Sequence, residues 1–400
     1  MSSFALSACL RRVMVAACLV LLGACGGGGG GSAVMSSRST EQSTSTSSAP
    51  APSSDVAGLC TLAGEQAFAR SHLNEVYLWS DRIPEVDPTA HTTLASYFDA
   101  LVLRSPDANG RPVDRFSSVL SSADADALLS SSSQPLAGLV AAPTTAVPIV
   151  STLTTGGHRQ VGYLLFNRHG RGAQDALITA FQALRDHQVR DLVLDLRHNP
   201  GGYLYIAQAA ASMIAGPRQD GQVFEQLRYN QRLSAQGAGM TLRFGSTVQR
   251  AESVYPVGHP LPQLDLPRVY VLATGLTCSA SESIVNGLRG VGIEVVLVGD
   301  TTCGKPYGFQ RKDNCGTAYF AIQFQGVNAQ GFGDYATGFT PTCPVAEDPW
   351  APLGDAREPL LAAALHHIDT GACPAAKGGG RTMGKRQDAA AGLLGRLLAP

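Results

Sequence analysis

The chain has 400 residues, 44% hydrophobic and 15% charged, enough for a sizeable core in roughly two or three domains. Thirty basic and 31 acidic side chains leave a formal net charge of −1, which removes any electrostatic case for nucleic acid or an anionic membrane surface. Only Lys305, Lys312, Lys377 and Lys385 among the basic residues are lysines. A desolvated lysine can give up its proton and act as a base, whereas arginine stays charged, so a lysine in the apolar half of such a chain is chemically distinctive.

In chain order, Met1–Ala24 joins a basic start (Arg11, Arg12) to an apolar run, Val13–Leu22, that is too short for a stable span and reads as a signal peptide. It ends in Leu22-Gly23-Ala24-Cys25, which resembles a bacterial lipoprotein cleavage box with Cys25 as the lipidated residue. Gly26, where an acidic residue is absent, points by the same resemblance to the outer membrane over the inner. Residues 25–58, rich in Gly, Ser and Pro, read as a flexible tether. The expectation is an envelope protein facing the periplasm, touching the membrane through its anchor only.

Of nine cysteines, Cys9 and Cys18 fall in the leader and Cys25 would carry lipid. The even remainder, Cys60, Cys278, Cys303, Cys315, Cys343 and Cys373, suggests up to three disulfides of open connectivity. Spacing favours Cys303–Cys315, and a Cys343–Cys373 pair would pin the C-terminal helix. No CxxC or His pairing indicates a metal site.

Residues 59–130 are expected to form a helical domain: Phe68, Leu73, Val76 and Tyr77 recur at helical spacing, Pro84 and Pro88 interrupt, and Thr92–Leu103 and a short Ser122–Leu129 follow as helices. Residues 131–148 are a Ser/Pro/Ala-rich linker. The pattern then changes over 149–372. Strands are expected at Val161–Phe166, Val189–Leu196, Arg268–Ala273, Ile293–Val298 and Tyr319–Phe324. Helices are expected at Ala173–His187, Leu204–Ala215, Ala280–Arg289 and Glu358–Ile368. This alternation predicts an α/β core with a largely parallel sheet. Residues 373–400 read as a loose tail.

Two stretches carry chemistry. Arg197-His198-Asn199-Pro200-Gly201-Gly202 follows a buried strand, and its glycines let backbone N–H groups approach a ligand, although such a turn is more often only a turn. Ser279 opens a helix with capping-box spacing to Glu282, so it is either an N-cap alone or a nucleophile beside its oxyanion donors, Ala280 and one of Gly201 and Gly202. A serine nucleophile needs a base. None of the nine histidines sits in a recognisable Ser/His/Asp context, and G-x-S-x-G is absent. Lys305, in a Gly-Lys-Pro turn just past the next strand, is the remaining candidate: either a surface lysine or one half of a Ser–Lys dyad.

Three segments in order, Asp195–Gly202 (DLRHNPGG), Ser279–Glu282 (SASE) and Gly299–Lys305 (GDTTCGK), resemble the C-terminal processing (tail-specific) serine peptidases over roughly residues 149–368. The YLW…DRFS segment resembles the helical region that precedes some members. The resemblance implies a crotonase-like α/β core, Ser279 as nucleophile in preference to Ser281, Lys305 as general base, and Gln310 as the residue orienting it. It implies no cofactor, and a protein or peptide substrate. The 131–148 stretch is too short for the PDZ domain that most members carry to capture a substrate's C-terminus, so an open enzyme or one served by an adaptor protein is expected. Two rival readings remain: a non-catalytic module binding peptides or hydrophobic ligands on the same core, and an esterase using a histidine.

Overall fold

A computed structural model describes residues 52–107, 110–130, 145–237 and 239–375. The leader, Cys25, nearly all of the tether, most of the linker and the tail beyond residue 375 lie outside the described residues. No helix among the described residues is long and apolar enough to cross a membrane.

A six-stranded sheet organises the molecule. Its order is Cys343–Pro344, Glu294–Gly299, Arg268–Ala273, Asp191–Asp195, Gln160–Leu165 and Ile149–Thr154. All neighbours run parallel except the last pair. The strands read as near-continuous apolar runs because both faces are covered. On one face Leu164, Leu192, Leu194, Val271 and Leu297 pack with the helices Ala173–Asp186, Leu204–Ala215 and Ala280–Gly290. On the other, Tyr163, Val193, Tyr270, Leu272 and Val298 pack against Leu360, Leu361 and Ala364 of the helix Pro359–Thr370. The alternation of these two sets is the period of two that an extended chain imposes.

Among the described residues two smaller antiparallel sheets accompany it. One joins Met240–Arg243, Val223–Tyr229, Phe324–Val327 and Tyr307–Gly308. The other joins Ser118–Ser121, Thr317–Phe320 and Lys312–Asn314. The expected strand Tyr319–Phe324 is therefore two strands in two sheets. The chain is handed across at Ala321–Gln323, where Ile322 donates its N–H to Ser117 Oγ and accepts from Leu78 N–H at its carbonyl. The N-terminal region is helical at Leu62–Val76 and Leu94–Leu101, as expected, but its Ser118–Ser121 strand pairs with Thr317–Phe320. Its core is shared: Phe68, Leu73, Tyr77 and Phe116 pack with Phe309, Tyr319, Phe320 and Ile322.

Among the described residues three disulfides form: Cys60–Cys315, Cys278–Cys303 and Cys343–Cys373. The last is the pair expected to hold the C-terminal helix. The Cys303–Cys315 pairing is corrected. Cys303 follows one central strand and Cys278 follows its neighbour, so the sheet brings these two together, while Cys315 lies in the hairpin turn that meets Cys60 at the N-terminal helix.

Candidate active site

The register of the sheet sets the site. Asp195 pairs with Leu272, Leu272 with Val298 and Ala273 with Gly299, so three adjacent strands end level. Each then releases a loop at its carboxyl end, the position where open α/β sheets place their ligands. The loops are residues 196–203, 274–279 and 300–306.

Hydrogen bonds tie them together. Thr277 Oγ1 donates to Leu196 O at 2.8 Å, and Thr274 Oγ1 donates to Arg197 O. Asn199 O accepts from Cys278 N at 3.1 Å and from Ser281 Oγ at 3.0 Å. Cys303 N donates to Thr277 O at 3.1 Å, and the Cys278–Cys303 disulfide spans the same gap. The first loop is also anchored from behind. Arg197 is fully buried and makes paired bonds to Asp195 and Glu358, with Glu347 at 3.5 Å. Burial opposes its charge, but the carboxylates beside it outweigh that and hold its pKa above the usual value.

Ser279 is the N-cap of the helix Ala280–Gly290, at φ 56° and ψ −117°. That backbone conformation is rare for a residue with a Cβ and is a local strain. The neighbouring Gly201, at φ 97°, explains part of it: a Cβ there would lie 2.8 Å from Ala280 N, Cys278 O and Ser279 Cβ. The two backbones approach as closely as only glycine permits.

Glu282 carries both sides of the site. It is fully buried. Its carboxylate accepts from Ser279 N at 3.0 Å, Thr302 Oγ1 at 2.6 Å, Gly304 N at 2.8 Å and Lys305 N at 2.8 Å. Burial pushes its pKa up, while those four donors favour the charged form. The sequence offered Glu282 only as half of a capping box; its bonds to residues 302–305 needed the fold.

Lys305 is 2% exposed, and its Nζ lies 4.4 Å from the ring centre of Phe309 and 5.2 Å from that of Phe116. Burial lowers its pKa from 10.5 to about 7; Asp114 and Glu282 oppose that and Arg115 adds to it. The reading of Lys305 as a surface lysine therefore does not hold.

Ser279 and Lys305 line one cavity with Gly202, Leu204, Ser283, Pro306, Tyr307, Gly308 and Phe324, and no histidine is among them. Of the two glycines read as oxyanion donors, Gly201 gives its N–H to Asn199 Oδ1 at 3.0 Å. Gly202 is the one that lines the cavity. Ala280 is the first residue of its helix, where a backbone N–H has no partner within the helix. Gln310 is not brought to this place: its side chain is exposed and its carbonyl accepts from Gln323 Nε2.

The sequence reading missed Asp114, Arg115 and Phe116 as parts of this site. Among the described residues two groups have metal-ligand proximity, Cys343/His367/Cys373 and Cys278/Glu282/Cys303. In both, the sulfurs are joined to each other.

Comparison with known proteins bears on the same regions. The profile of Peptidase family S41 matches residues 160–333, and that of the Peptidase S41 N-terminal domain matches residues 64–118. Together they take in more than half of the chain. A carboxyl-terminal-processing protease of Picosynechococcus sp. is 30% identical over 181 residues, which are 44% of this chain and 38% of that protein. The chain thus spans well under half the length of that relative. A solved S41 protease of Bacteroides fragilis NCTC 9343 superposes with a TM-score of 0.59 at 21% identity, covering 76% of this chain and 97% of that one, a likeness of fold. The photosystem II D1 C-terminal processing protease aligns at a TM-score of 0.42 and 20% identity, over 59% of this chain and 55% of its own.

Proposed function

The chain belongs to peptidase family S41, and on that footing we propose that it is a serine endopeptidase with a Ser279–Lys305 dyad, cleaving exported or misfolded proteins. The observation that carries the proposal is the shared cavity: a serine at a helix start and a buried lysine line the same space. Lys305, neutral above about pH 7, takes the Ser279 proton as Oγ attacks the scissile carbonyl, and returns it to the leaving amine. Ala280 and Gly202 N–H groups hold the oxyanion, fixed beforehand by the helix start and the loop. Ser279, as the strained N-cap, stands where the helix dipole adds to that field. The apolar lining from Leu204, Pro306 and Phe324 suits a small apolar substrate side chain. An envelope address, with lipid on Cys25, belongs to the same proposal; Cys25→Ala should move the protein from the membrane pellet to the soluble fraction.

The test is direct. Ser279→Ala and Lys305→Ala should each abolish cleavage of denatured casein and leave the melting transition cooperative. Retained cleavage in either variant would sink the dyad. Preference for a p-nitrophenyl ester over casein would replace the peptidase with an esterase, and a folded protein that neither cleaves nor labels with fluorophosphonate would be a binding module.

A further inference from the structure

The base sits in a wall that the catalytic core does not build alone. We propose that the segment Asp114–Ser117 of the N-terminal region is a positioning element for Lys305, with Arg115 strapping the turn that presents the lysine and Phe116 closing the apolar wall around its ammonium. The proposal rests on the dyad reading above and adds residues to it.

The geometry is specific. Arg115 Nη2 donates to Cys303 O at 2.9 Å, Gly304 O at 2.9 Å and Ala336 O at 3.0 Å. The first two carbonyls belong to the residues just before Lys305; the third lies 221 residues from Arg115 along the chain. Arg111 Nη2 adds a bond to Ala336 O at 3.2 Å. The turn needs such a strap because Gly304 has φ 81° and is pressed against Ala336: a Cβ on Gly304 would sit 2.3 Å from Ala336 O. Glu282 holds the same turn from the opposite side through Gly304 N and Lys305 N. The turn is thus gripped on the N–H groups of Gly304 and Lys305 by the nucleophile's helix and on the carbonyls of Cys303 and Gly304 by the N-terminal segment.

The segment is itself rigid. Asp114 is fully buried and accepts from Tyr77 Oη at 2.7 Å and from the N–H groups of Phe116 and Ser117 at 2.9 Å. The Arg115 guanidinium lies 4.6 Å over the Phe116 ring, and Phe116 is 1% exposed. The charged and titratable groups facing Lys305 are Asp114 and Arg115 from this segment and Glu282 from the helix, with Tyr307 lining the cavity beside it. Arg115 disfavours a charge on Lys305 and Phe116 keeps water from it, so losing either raises the lysine's pKa.

The experiment is kcat and KM for casein-derived peptide against pH, on the full chain and on Arg115→Met, Arg115→Lys and Phe116→Ala. Arg115→Met and Phe116→Ala should lower kcat roughly tenfold or more near neutral pH with little change in KM, and recover much of it in alkali, because the acid limb moves up by about one pH unit. Arg115→Lys keeps the charge but loses the longer, planar guanidinium whose Nη2 reaches the three carbonyls, so its kcat should fall with the acid limb unmoved. Damage to folding alone would depress the rate by one factor at every pH. If the wild-type chain is active and the limbs of all variants overlie its own, or Arg115→Lys keeps full kcat, the positioning role is wrong and the dyad stands. A wild-type chain that neither cleaves nor labels at Ser279 ends both.

Discussion

At Ser279 the fold accepts strain to expose a hydroxyl. The φ of 56° with ψ of −117° costs on the order of 1–3 kcal/mol for a residue with a Cβ. Ser279→Gly should therefore melt a few degrees higher than the parent, and Ser279→Ala, which keeps the Cβ, should not; equal melting of the two would contradict the strain. Lys305 carries a second local cost. Its folded pKa of about 7 lies below the unfolded value near 10.5. Below about pH 7 both states are protonated and the burial penalty is fully present; as pH rises from there to about 10.5 only the unfolded state still holds the proton, so folding becomes more favourable. At about 1.4 kcal/mol per pH unit the whole penalty is at most roughly 5 kcal/mol. Lys305→Met should accordingly stabilise the protein at neutral and acid pH, by an amount that shrinks towards pH 10.5. Urea titrations at several pH values read it directly, and a loss of stability at neutral pH would refute the desolvation argument.

At the scale of elements, the site is three loops from three level strands, and its rigidity comes from what crosses between them. The Cys278–Cys303 disulfide links the residue before Ser279 to the turn before Lys305. Reduction without denaturant should lower activity, reversibly on reoxidation by a disulfide; a Cys278→Ser/Cys303→Ser variant should show the lower activity and no response to reductant. Unchanged activity after reduction, verified by thiol counting, would make the bond a mere staple. The first loop leans on the C-terminal helix through Arg197 and Glu358, and Glu358 also accepts from Leu360 N and Leu361 N at the helix start. Glu358→Ala strips a partner from a buried guanidinium and uncaps a helix, so it should cost about 3–5 kcal/mol in urea unfolding. A cost below about 1 kcal/mol would show that Asp195 alone satisfies Arg197.

At the scale of the molecule, the parallel sheet was legible because buried strands such as Asp191–Asp195 and Arg268–Ala273 read as short apolar runs between helical repeats. Local position left Ser279 and Lys305 each with two readings and only the resemblance of three ordered segments singled them out; the fold brings both, with Gly202, to one cavity. What escaped depends on distance along the chain. The four-stranded antiparallel sheet pairs Val223–Tyr229 with Phe324–Val327, segments far apart along the chain whose pairing no local pattern encodes. Cysteine pairing followed the sheet order, with Cys60 and Cys315 255 residues apart, so spacing misled. Arg115 reaches a carbonyl 189 residues away, and nothing around residue 115 announces that. Gln310 was placed by resemblance alone, and its side chain lies exposed.

The central claim is that a buried, neutral Lys305 activates Ser279. The measurement that tests it most directly is the rate of fluorophosphonate labelling against pH, with the labelled peptide identified by mass spectrometry. The account predicts one modified residue, Ser279, a rate that rises through about pH 7, and labelling lost in a folded Lys305→Ala variant. Labelling at another residue, or at Ser279 with a rate indifferent to Lys305→Ala, would contradict it.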